Sequence, residues 1–117
     1  MTPNKVIEQV DRNKPNAYSE EDKFAWISDV DGMVRKLVLQ DGKSEQYKYP
    51  EDGDKELLIP APYDSAYQFY VEAMIDHHNR EYQFYNNSVQ MFSARFDEFR
   101  KAYIRENRPK AVGQIKI

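Results

Sequence analysis

From Tyr63 to Arg108 the chain runs for over forty residues without a glycine or a proline. Ahead of that run stands Leu57-Leu58-Ile59-Pro60-Ala61-Pro62-Tyr63, where two prolines hold their own φ and push Ile59 and Ala61 towards extended geometry, a stiff apolar strap. Asp64 is placed to cap a helix, and no further breaker occurs before Pro109. Tyr67, Val71, Met74 and His78 recur at steps of four, three and four, and Tyr85, Val89, Phe92, Phe96, Phe99 and Tyr103 repeat the alternation. Such spacing is the seam of a helix packed on another helix. Between the two series, His77-His78-Asn79-Arg80-Glu81 loses apolar content, and the step from His78 to Tyr82 rotates the seam as a stutter would. One helix from Asp64 to Glu106 would be about 64 Å long, whereas a compact domain of this size has a radius of gyration of roughly 13 Å. The sequence therefore predicts either a hairpin or sharp kink near Asn79–Asn87, or a continuous helix covered by another chain.

The first half reads as two shorter helices. Thr2-Pro3 is a cap followed by proline in the first turn, and Val6, Ile7 and Val10 make one narrow apolar face ahead of Asn13-Lys14-Pro15-Asn16. Ser19 caps a second helix, expected over Ser19–Leu39, with Glu20, Glu21 and Asp22 at its positive end. Its buried stripe is Phe24, Ile27, Val30, Val34, Leu37 and Val38, flanked by Trp26. Gly32 in mid-helix costs about 1 kcal/mol relative to alanine, which suggests close approach of another backbone. Turn signals crowd residues 40–56, a loop or a short β-ribbon closed by Asp41-Gly42, with Tyr47 and Tyr49 on one side. The expected architecture is all-α: one domain over 1–117, a small bundle of about four helices. It has a long C-terminal helix or kinked helix pair, a variable loop at 40–56 and a flexible tail at 109–117.

Chemistry-bearing patterns are sparse. The chain has no cysteine, hence no disulfide frame, thiol nucleophile or thiolate metal site. No apolar run approaches the roughly 20 residues of a membrane span, and no signal-peptide core opens the chain, so the reading is of a soluble protein made in a cytoplasm. His77 and His78 are the two histidines; adjacent helical positions diverge by about 100°, so they do not share a metal from one face. Ser19, Ser28, Ser44, Ser65, Ser88 and Ser93 lie in no Gly-x-Ser-x-Gly elbow, and four scattered glycines build no phosphate loop. Asp29 and Asp31 fall on different sides of their helix and read as a solvated face. No enzyme, metal or cofactor is expected.

Nine tyrosines and six phenylalanines exceed what a core of this size uses. Aromatic side chains bury large areas at low conformational cost and are enriched at interfaces. Tyr47, Tyr49, Phe69, Tyr82 and Phe84 are therefore candidates for contact with another subunit. Charge is unevenly placed within a net of −3: acids predominate over Asp41–Glu56, and basic residues after Arg100. Lysines and arginines of the last helix are interleaved with Asp97, Glu98 and Glu106, so no clean stripe for nucleic acid forms. The β-prone, basic tail, with Lys110, Gln114, Ile115, Lys116 and Ile117, is a second interface candidate, either frayed or added as an edge strand to a neighbouring chain.

Lys14-Pro15-Asn16-x-Tyr18-Ser19, followed by Lys23-x-x-Trp26-Ile27-x-x-Val30-Asp31-Gly32, resembles the opening of small head–tail connector (adaptor) proteins encoded in siphophage and prophage structural operons. Leu57-Leu58-Ile59-Pro60-Ala61-Pro62-Tyr63-Asp64, Tyr70-x-x-Ala73-x-Ile75-Asp76 and Tyr85-Asn86-Asn87-Ser88 extend the likeness over nearly the whole chain outside Asp41–Glu56. The resemblance implies a mostly helical subunit that closes into a ring of its own copies beneath the portal, bridges it to the next connector or tail component, and surrounds the DNA exit channel. Its partners would be itself and the portal or other connectors, with no membrane, no sequence-specific nucleic acid and no cofactor, in the virion or the host cytoplasm during assembly. In such a ring, Glu51, Asp52, Asp54 and Glu56 would line the channel and repel DNA, and the basic tail would reach an acidic patch on a neighbour. The alternative is a small helical binding or regulatory adaptor encoded by a mobile element.

Overall fold

A computed structural model describes residues 1–43 and 45–107. They form four α-helices, α1 (Pro3–Asn13), α2 (Glu20–Met33), α3 (Ser65–His78) and α4 (Tyr82–Glu106), with a π-helical segment, Val34–Leu39, continuing α2. There is no strand among the described residues, so 40–56 is a loop and the ribbon does not form. The caps at the first two helices follow the sequence: Thr2 Oγ1 accepts from the Lys5 amide at 3.3 Å and Ser19 Oγ from the Asp22 amide at 3.1 Å. Asp64 precedes α3, but its side chain makes no capping bond because its own backbone is already helical.

The long apolar series breaks at Asn79–Glu81. Glu81 N–H reaches back to Asp76 C=O at 2.9 Å and Arg80 N–H to His77 C=O at 3.1 Å, while Arg80 takes φ +60° where glycine is usual. The chain accepts about 1 kcal/mol of left-handed cost at Arg80 to reverse direction. α4 then returns antiparallel along α3. Tyr70 and Phe92 rings lie 5.1 Å apart, Arg95 Nε donates to Ser65 Oγ at 3.2 Å, and Ser88 Oγ donates to Asp76 at 3.3 Å. A helix of α4's length outruns α3, and the molecule is elongated, 58 × 33 × 22 Å.

The core lies between α1, α2, α3 and the 57–63 strap, with Val6, Val10, Phe24, Ile27, Val30, Val34, Ile59, Tyr67, Val71 and Ile75 buried. Leu37, expected in the stripe, is 54% exposed. The wider i→i+5 turn, closed by Gln40 N–H on Arg35 C=O at 2.7 Å, keeps Val34 and Val38 inward and rotates Leu37 out. Gly32 meets no close backbone either: a Cβ placed there has nothing within 4 Å. Gly32→Ala is expected to raise stability by about 0.5–1 kcal/mol, read as a higher denaturant midpoint at unchanged slope.

One polar group organises the centre. Asp31, read from sequence as solvated, is 1% exposed. Its carboxylate accepts from Tyr47 Oη at 2.5 Å, from the Leu58 amide at 3.1 Å and from Tyr67 Oη, which itself accepts from the Ile59 amide at 2.8 Å. Tyr47 N–H donates to Ser28 Oγ at 3.1 Å. These bonds tie α2 to the loop, the strap and α3, and they draw Tyr47 into the core. Tyr47 is thus an interior residue and not a surface contact: a phenol serving a buried carboxylate stays off the surface. Burial pushes the Asp31 carboxyl above the usual carboxylate range, against the opposing pull of the two phenols, the Leu58 amide and the Arg35 guanidinium. Burial first, and then the Asp31 carboxylate, raise both phenols.

Candidate functional site

The motif around Lys14–Ser19 is a structural joint. Lys14 Nζ lies 2.7 Å from Asp76 Oδ1, with the Lys14 side chain 28% and Asp76 1% exposed. Asn16 Oδ1 accepts from the Tyr18 amide and from Lys23 Nζ, Lys23 pairs with Asp11 at 2.6 Å, and Tyr18 Oη donates to Asn79 at 2.8 Å. Truncating Lys14 leaves a buried carboxylate with only the long Ser88 bond among the described residues. Lys14→Ala should therefore cost about 2–3 kcal/mol, somewhat below a fully buried pair because Lys14 is partly solvated; thermal melting reads it.

The histidines are engaged with rings: His78 with Trp26 at 5.4 Å and Tyr18 at 6.0 Å, His77 with Tyr85 at 5.3 Å and Tyr82 at 6.3 Å. His78 Nδ1 also sits 2.8 Å from Met74 C=O. Among the described residues, no three His, Asp or Glu side chains converge as a metal would need.

What stands out is α4 itself. It is the longest helix, and its buried residues are Phe99 and Ala102. Phe92, Phe96 and Tyr103 lean partly on the core, as the seam spacing indicated. Phe84, 57% exposed, and Met91, 42% exposed, do not. They are seven residues apart, so at about 100° per residue they share one outward stripe. Lys14 lies over the Phe84 ring at 5.3 Å. A second apolar patch lies elsewhere on the same helix: Met33 and Leu37 from α2 and its π segment face Phe92 and Phe96 across a shallow groove of about 550 Å³. Phe92 and Phe96 point roughly 110° around α4 from the Phe84–Met91 stripe. Thus the two patches are unlike and face different ways.

The remaining candidates scatter. Tyr82 is exposed at the start of α4 beside His77, Phe69 is half-buried on α3, and Tyr49 is exposed with its ring edge-on to Phe24 at 5.4 Å. Of the acidic loop, Asp52 accepts from the Lys48 amide at 2.7 Å, Asp54 from Asn4 Nδ2 at 3.2 Å, and Glu56 pairs with the Met1 amine, leaving Glu51 exposed at the loop's tip. Asp54 thus fastens the loop to α1 and Glu56 to the residue at the chain's start, while Asp52 closes a turn within the loop itself. Lys110, Gln114, Ile115, Lys116 and Ile117 lie outside the described residues. Sequence reading missed the groove residues Met33 and Leu37, and Met91; the seven-residue step from Phe84 to Met91 outside the seam was the available signal.

Compared with family models, curated proteins and solved structures, the chain matches none. Among the described residues no helix is long and apolar enough to cross a membrane.

Proposed function

We propose that this chain is a structural subunit of a phage or prophage head–tail connector, assembling as a ring under the portal and bridging it to the tail side. The supporting observation is the pair of unlike apolar patches on α4: the Phe84–Met91 stripe and the Leu37–Phe92–Phe96 groove. A patch that matches itself closes a dimer, whereas two different patches that match each other repeat from copy to copy and close into a ring when the rotation allows. The sequence resemblance supplies the portal as the platform. The acids of the 51–56 loop, where not fastened to α1, would present negative charge to DNA passing by.

Stoichiometry tests the reading. Mixed with the portal protein of the same genome, the chain should join it in many copies per portal, as measured by native mass. One or two copies bound to an unrelated partner would instead make it a regulatory adaptor.

A further inference from the structure

Gly32 stands within a helix, where glycine lowers stability relative to alanine, yet no atom lies within 4 Å of where its Cβ would be. Packing therefore does not explain it. What lies over it is a cleft of about 430 Å³ between α2 with its π segment and the 40–46 loop. That size is within the range of small-molecule sites, about 300–1,000 Å³. Two left-handed residues, Gln40 at φ +51° and Gly42 at φ +70°, turn the chain back beside the helix. The π turn that precedes them is a helical irregularity frequent at functional sites.

The lining is polar and incompletely paired. Arg35 Nη1 bonds Asp41 at 3.0 Å, but Nη2 lies 3.9 Å from Glu45, beyond hydrogen-bond range, and Nε is buried with no partner among the described residues. The Nε–Nη2 edge, which can grip an oxyanion with two parallel bonds, is thus unengaged there. Glu45 also lies 3.8 Å from Lys55, and these pairs leave Lys36 and Lys43 with no carboxylate partner among the described residues. Asp29, the other acid of the lining, is pushed above the usual carboxylate range by burial, which weakens its repulsion of an anion as the pH falls. Arg35, Lys36, Lys43 and Lys55 gather here against Asp29, Asp41 and Glu45, a local excess of cations in a chain whose net charge is −3. We infer that this cleft binds a small oxyanion of the phosphate class. Lys36, Lys43 and the unengaged edge of Arg35 are its donors, and Gly32 is the floor that a side chain would fill. A tetrahedral anion suits the site better than a planar carboxylate, because the donors come from both walls and meet its oxygens from different directions.

The test is a titration of the full chain with inorganic phosphate at constant ionic strength, followed by NMR of the backbone amides. Gly32 and Gly42 line the cleft, whereas Gly53 sits against α1 and serves as the internal control. Saturable shifts at Gly32 and Gly42, with Gly53 still and no matching effect of chloride, are the expected result. Gly32→Leu fills the floor without meeting a neighbour, so it should melt no lower than the wild type. Read at Gly42, its phosphate affinity should fall by at least about tenfold. K36A/K43A removes two exposed side chains and should lose affinity to the same degree, which keeps the test decisive if Gly32→Leu folds poorly. Shifts that chloride reproduces, that never saturate, or that survive in K36A/K43A would overturn the inference and reduce the effect to screening of surface charge.

Discussion

Asp31→Ala should be the most damaging single substitution in this chain, lowering stability by about 4 kcal/mol and the melting temperature by roughly 15–25 °C. Domains of this kind are stable by about 5–15 kcal/mol, so the loss is a large share of the total. The physical reason is asymmetry. The two phenols and the Leu58 amide all aim their hydrogens at this one carboxylate, and removing it leaves three donors in a dry site. Tyr67→Phe removes one donor and also the acceptor of the Ile59 amide, so about 2 kcal/mol is expected. The pH dependence has a definite sign. Burial raises the folded-state pKa of Asp31 above its ordinary value of 3.8. The folded chain thus holds this proton more readily than the unfolded one. The stability tied to that proton is fully present below the ordinary value and is lost as pH rises through the folded one. Asp31→Asn has no such proton, so the wild-type advantage over it should be larger at about pH 4 than at about pH 7.

The second large effect is on assembly and leaves the fold almost untouched. F84S/M91S removes the outward stripe of α4, and Leu37→Glu places a charge in the groove; all three side chains are substantially exposed. Each variant should melt within about 1 kcal/mol of the wild type, yet each should weaken copy-to-copy contact by about 3–4 kcal/mol, a loss on the order of several hundred-fold. Mixing them discriminates further. On the proposed ring, the L37E chain keeps its stripe and the F84S/M91S chain keeps its groove, so the mixture should form one-to-one heterodimers that grow no longer. A self-matching interface predicts no such capped pair, because a chain with a spoiled patch spoils both halves of it.

How much of this was legible beforehand depended on how local the cause was. Thr2 and Ser19 act within one helical turn, and both caps are where the residues placed them. The break near Asn79 was readable from vanishing apolar content, although the spacing left a continuous helix open; Arg80 in the left-handed region decided it. Asp31 was misread because its partners Tyr47 and Tyr67 come from 16 and 36 residues away, a pairing that no periodicity encodes. The same contact explains why Tyr47, grouped with Tyr49 as a surface ring, is interior. Leu37 was misplaced because an α-helical count was applied across a π turn. Phe84, one of three rings of which the spacing puts some off the seam, is exposed, but the groove has one wall from α2 and its extension and the other from α4, and only the folded chain brings them together.

The central claim is that α4 serves contact between copies of this chain. Electron microscopy of the chain mixed with the portal protein of the same genome tests it most directly. The account predicts a closed ring in which the Phe84–Met91 stripe of each subunit is buried against the Leu37–Phe92–Phe96 groove of the next. A ring with both patches left in water, or a single chain seated on one partner, would contradict it.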